Sequence, residues 1–136
     1  MSMNVDPIHP SGWKKASGYS NGVRVDGHRA MVHVAGQIAW DEQQNLVGGD
    51  DFGAQFTQAL ANVCAVVRAG GAHPVDLVSM RIYVTDKRQY LASLKQIGAA
   101  WREHIGKHYP AMALVQVADL LEDGALVEIE AVAAVV

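Results

Sequence analysis

Apolar residues recur along this chain with two different periods, and the changes between them divide it into strands and helices. From Asn21 to Gly36 the segment NGVRVDGHRAMVHVAG alternates Val23 and Val25 with polar neighbours, turns at Asp26-Gly27 and resumes an apolar run from Met31 to Ala35. That pattern predicts a β-hairpin. Polar residues and glycines from Gln37 to Gly49 predict a connecting loop or a short strand end. Asp50 or Asp51 then caps a helix whose apolar residues Phe52, Phe56, Leu60, Val63 and Val67 recur every three or four positions. Gly70-Gly71 ends it by supplying the left-handed conformation common at helix C-termini. After Pro74, LVSMRIYV from Leu77 to Val84 is β-branched and apolar enough for a central strand, and Thr85-Asp86 offers the next cap. Tyr90, Leu94, Ile97, Trp101 and Ile105 form the stripe of a second helix that stops at Gly106. Ala111 to Ala118 and Leu126 to Val135 predict two further strands, with a turn at Glu122-Asp123-Gly124. Pro7, Pro10 and Gly12 make residues 1–12 a flexible N-terminal segment. The predicted order is β-β-α-β-α-β-β.

Two helices with one apolar stripe each, and a handful of strands, imply an α+β two-layer sandwich with both helices on one face of a mixed sheet. The last strand sets Glu128, Glu130 and Val132 on one side and Val127, Ile129 and Ala131 on the other. One sheet face therefore buries under helices, and the second, half apolar, is a natural subunit interface. A homo-oligomer is the expectation. The 136 residues, half of them apolar, suit a single domain over 1–136 with a real core. Eleven basic against fourteen acidic residues give a net charge of -3 with no basic cluster, which disfavours a grip on nucleic acid. Cys64 has no partner for a disulfide, and MSMNVDPIHP lacks the basic head and apolar block of a leader, so the expected location is cytoplasmic. The apolar stretch from Ala125 to Val136 is interrupted by Glu128 and Glu130 and is too short to span a bilayer, which takes about 20 residues.

Glu128 and Glu130 lie on one face of an otherwise apolar strand, where a half-buried carboxylate needs hydrogen-bond donors or protonation. Each is a candidate general acid, general base or water-positioning group, and each could instead pair with Arg81 across the sheet. His104 and His108 are four apart with Glu103 adjacent, but Gly106 intervenes and no HExxH motif is present, so no metal site is expected. Cys64 reads as a packed thiol inside the first helix. The serine-hydrolase elbow, the phosphate loop and the dinucleotide turn all lack their residues. Trp101 belongs to a helix stripe, whereas Trp40 follows a Gly-Gln turn and is a candidate pocket residue.

Several segments together resemble the RidA/YjgF family of small trimeric proteins: GYSNGVRVDG around Tyr19, VAGQIAWD from Val34, QALANVCAVVRAGGA from Gln58, IYVTD from Ile82, YPAMALVQV from Tyr109 and ALVEIEAVA from Ala125. The resemblance implies a chorismate-mutase-like fold and a homotrimer with pockets between neighbouring subunits. It also implies hydrolysis of reactive enamines and imines to 2-keto acids and ammonia, with no metal or organic cofactor. Carried over by position, Tyr19 lines the pocket, Ala35 and Gly36 supply backbone contacts and Glu128 holds the attacking water. The Arg that grips the substrate carboxylate in such deaminases is replaced by Met112, their helical Asn by Leu94, and a Cys whose backbone faces the water by Leu114. A bidentate Arg–carboxylate pair supplies charge and orientation, and its loss is expected to reduce affinity or rate about tenfold to thousandfold for a small 2-imino acid. Met112, Leu94, Leu114 and Trp40 instead imply an apolar pocket for a larger or less charged ligand. The expected function is an inter-subunit enamine or imine hydrolase with an unusual substrate. The alternatives are a noncatalytic small-molecule-binding or protein-interaction trimer and, disfavoured by charge, the endoribonuclease activity that also labels this family.

Overall fold

The computed structural model describes residues 4–135. Its elements are β1 (Asn4–Ile8), β2 (Gly22–Asp26), β3 (Ala30–Gln37), α1 (Phe52–Ala69), β4 (Leu77–Val84), α2 (Lys87–Ala92), α3 (Leu94–His104), β5 (Ala111–Gln116) and β6 (Val127–Val135). The main sheet runs β3-β6-β4-β5, with β4 and β5 parallel and the other neighbours antiparallel. The parallel pair requires a crossover, which α2 and α3 supply.

Side chains alternate along each strand, so one sheet face collects Val127, Ile129, Ala131 and Ala133 of β6 with Met80, Ile82 and Val84 of β4, all buried. Phe56, Leu60, Val63 and Val67 of α1 pack in the same core. Full burial of a large apolar side chain contributes about 1.5–3 kcal/mol, so this layer dominates the stability of the fold. Asp51 caps α1 by accepting from the Ala54 N–H at 3.1 Å. Gly70 ends it where a Cβ would lie 2.8 Å from both Val32 methyls, and Gly71 follows with φ +90°. Gln55 is the buried polar side chain of this core. Its Nε2 donates to the carbonyls of Gly49 (2.7 Å) and Gly124 (2.9 Å), and its Oε1 accepts from the Leu126 N–H at 2.9 Å.

Four expectations are corrected. The predicted hairpin does not form: the chain does turn at Gly27, with φ +75°, but β3 pairs with β6 while β2 pairs with β1. Residues 4–8, expected to be flexible, are thus a strand that sets Val5 opposite Val25 and Pro7 opposite Val23. Pro7 is tolerated because a two-stranded sheet has only edge strands. The second helix is two helices, divided at Ser93. The Ser93 hydroxyl donates to the Gln89 carbonyl at 2.8 Å, and the backbone there leaves helical geometry at φ -112°, ψ 14°. Finally, β5 ends at Gln116 rather than Ala118. The observed order is β-β-β-α-β-α-α-β-β.

Candidate functional site

The sheet face away from the helices carries the polar residues of β4 and β6. Register sets Arg81 opposite Glu130 and Tyr83 opposite Glu128. Tyr83 Oη donates to Glu130 Oε1 at 2.6 Å, and Arg81 Nη1 lies 4.0 Å from the same oxygen. The cross-sheet pairing expected for a glutamate is therefore made by Glu130. Both charged side chains keep much of their exposure, at 62% and 40%, so the pair is worth under about 1 kcal/mol. The hydrogen bond to the carboxylate pushes the Tyr83 phenol above its usual range, since a phenolate would lose the bond and meet a like charge.

Glu128 behaves differently. It is half-buried and makes no ion pair among the described residues. It leans over β3, where a Cβ at Gly36 would lie 2.9 Å from its carboxyl carbon and closer still to Oε1. A side chain at position 36 would displace the carboxylate, so the glycine makes room for it. Register between β3 and β6 shifts between Val34 and Gln37, which places this irregularity beside Glu128. Next to it a cleft of about 390 Å³ is lined by His33, Ala35, Ser79, Arg81, Glu130 and Val132.

Met112 and Leu114 face the helices instead. In the parallel pair they stand opposite Met80 and Ile82, both buried, and they pack against the core. Met112 and Leu94 line a cavity of about 380 Å³ between α3 and β5, together with Tyr90, Trp101 and Tyr109. Trp101 and Tyr109 stack with centroids 6.0 Å apart at 10°, and Trp101 Nε1 donates to the His108 carbonyl at 3.0 Å. Burial pushes the Tyr90 phenol up.

Tyr19, half exposed, lines a separate cavity of about 370 Å³ with Lys107, His108 and Tyr109. The Ser20 hydroxyl donates to the Tyr109 carbonyl at 2.7 Å and so ties this arm to the start of β5. Trp40 lies in a fourth groove, against α1, where its carbonyl accepts from Asn62 Nδ2 at 2.9 Å and Gln58 Nε2 at 3.2 Å. Asp41 beside it is held below the usual carboxylate range by the Asn45 and Gln43 N–H groups.

The sequence-predicted residues thus fall into groups within one chain. Ala35, Gly36 and Glu128 share the open face, Leu94 and Met112 share the helix-side cavity with Leu114 packed on the core, and Tyr19 and Trp40 stand in cavities of their own. Tyr83 was missed as a partner of Glu130, although its place two residues after Arg81 puts it on that face. His108 Nε2 donates to the Leu77 carbonyl at 2.6 Å, and Cys64 is fully buried, which pushes its thiol pKa up. Among the described residues no three His, Cys, Asp or Glu side chains are grouped to hold a metal, and no helix is long and apolar enough to cross a membrane.

The sequence profile of the Endoribonuclease L-PSP family matches residues 11–135. The chain belongs to the RidA/YjgF, or L-PSP, family. RidA/YjgF relatives include the 2-iminobutanoate/2-iminopropanoate deaminase of Salmonella typhimurium, 36% identical over 104 residues that make up 76% of this chain and 79% of that protein. Among solved structures, the Rid-family protein YyfB of Yersinia pestis, described as of unknown function, is similar with a TM-score of 0.84 and 34% identity, over 97% of this chain and 99% of that one. The YjgF gene product of E. coli matches at a TM-score of 0.68 and 31% identity, over 95% and 98%. The α+β sandwich with its mixed sheet is thus the chorismate-mutase-like fold of RidA/YjgF proteins.

Proposed function

We propose that this protein is a Rid-type hydrolase that converts an enamine or imine to a carbonyl compound and ammonia, in clefts between the subunits of a homotrimer. The observation that carries this reading is Glu128, which is half-buried over Gly36 and has no cation paired to it among the described residues. An enamine takes a proton on carbon and gives one up from nitrogen to become the imine; water then adds to the C=N carbon as Glu128 accepts its proton. Glu128 returns that proton to nitrogen, and the hydroxyl proton then passes to nitrogen as the C–N bond breaks, so that ammonia leaves and the carbonyl forms. Glu128 and Met112 lie on opposite faces of one sheet, so a cleft holding both draws them from two subunits. Tyr19 would line that cleft from the N-terminal arm. Met112 and Leu94 remove the polar anchor, and the substrate is therefore not the usual small 2-imino acid.

The test is ammonia release from 2-aminoacrylate generated in situ by a serine dehydratase. Only Met112→Arg is expected to accelerate release above the spontaneous baseline, and adding Glu128→Gln to it should abolish the gain. Acceleration by the wild type would return the substrate to a small 2-imino acid. Inactivity of both wild type and Met112→Arg would favour a noncatalytic small-molecule binder, a reading supported by the apolar cavity beside Met112 and Leu94.

A further inference from the structure

The cavity between α3 and β5 is apolar within but cationic at its mouth. Its walls include Leu94, Ile97, Tyr90, Met112 and the stacked Trp101–Tyr109 pair, and its rim includes Arg102 and Lys107. Neither cation makes an ion pair among the described residues. Arg102 is also placed for this position by its own helix. Side chains on a helix lean toward its N-terminus, and Gly98 lies one turn earlier in that direction. A Cβ at Gly98 would stand 3.3 Å from Arg102 Nη1, so the guanidinium lies back across the glycine. Glycine inside a helix is less favourable than alanine, yet here it leaves the path along which the guanidinium reaches the cavity mouth.

We propose that this cavity binds a carboxylate with an apolar body, aromatic or branched aliphatic, held at its charged end by Arg102. A guanidinium offers two parallel donors to a carboxylate, and Lys107 adds positive potential without fixed geometry. The volume of about 380 Å³ falls at the small end of ligand sites, enough for one ring and a short chain. As a statement about substrate, the inference rests on the hydrolase reading: the acidic group sits at the rim of α3 rather than at position 112, and Met112 contacts the apolar body. As a statement about binding, it is tested separately.

The probes are 3-phenylpropanoate and the neutral 3-phenylpropan-1-ol, titrated into the full-length protein by calorimetry or ligand-observed NMR. The wild type should prefer the acid by about tenfold or more, with the preference shrinking as salt is added. Arg102→Gln should bring the two affinities together while leaving the alcohol bound, and Leu94→Trp, which fills the cavity, should weaken both. Equal affinities in the wild type, acid binding untouched by Arg102→Gln, or no binding of either probe would overturn the proposal. Acid-selective binding without ammonia release from any imine keeps this site and removes the hydrolase; turnover without acid preference does the reverse.

Discussion

Strand β6 presents two unlike surfaces from one run of nine residues. Toward the helices, Val127, Ile129, Ala131 and Ala133 are buried to 5% exposure or less and interlock with α1. Toward the other side, Glu128, Glu130 and Val132 stay half-buried, and the two carboxylates have different surroundings: Glu130 holds Tyr83 and faces Arg81, whereas Glu128 lies over a glycine. The contrast separates stability from chemistry by a single residue step. A side chain on the inner surface is fixed by volume, and its neighbour on the outer surface by charge and by what it leaves unpaired.

Truncation on the inner face should have the largest effect. Ile129→Ala removes a fully buried side chain opposite Ile82, and a loss of about 2–5 kcal/mol is expected in urea unfolding at unchanged slope. A loss below about 1 kcal/mol would mean that this layer is not the core. On the outer face, Gly36→Ala should change stability by no more than about 1 kcal/mol yet reduce ammonia release by Met112→Arg by about a hundredfold, because the new methyl displaces the Glu128 carboxyl. Equal losses of stability and activity would erase the distinction between the faces.

The smallest effect separates Glu130 from Glu128. The Tyr83 phenol titrates above its ordinary value of 10.0 because its neutral form donates to Glu130. A group raised in the folded state stabilises below its unfolded pKa, and that contribution disappears as pH rises through the folded value. Wild-type stability should therefore fall more steeply above about pH 10 than that of Tyr83→Phe, followed by denaturation at a series of alkaline pH values. Parallel curves would mean that the Tyr83–Glu130 bond is not maintained in solution.

Local signals in the chain account for much of the fold. The α1 stripe, its Asp51 cap and its Gly70-Gly71 end, the β4 run and the alternation of β6 are each decided within a few residues, and each was legible. Partner choice was not. The turn at Gly27 looks the same whether β2 pairs with β3 or with the N-terminal strand, and the outcome depends on which surfaces remain to be covered. Ser93 broke a continuous apolar stripe through one hydroxyl bond that periodicity does not register. For the site, alternation placed Glu128 and Glu130 together, but only packing shows Gly36 beneath one and Tyr83 bonded to the other. Position matching to the family named Met112 and Leu94; the helix spacing from Gly98 to Arg102 was visible in the chain, yet nothing in it marks the cavity that Arg102 borders.

Gln55 ties together parts of the molecule that are far apart in sequence. Its one amide group satisfies Gly49 before the first helix and both Gly124 and Leu126 before the last strand. Neither loop can lift from α1 without stranding a buried polar group or carrying the other loop with it. These two segments therefore share a single opening event, and their amide protons should exchange with solvent as one cooperative unit, at a rate set by the first turn of α1.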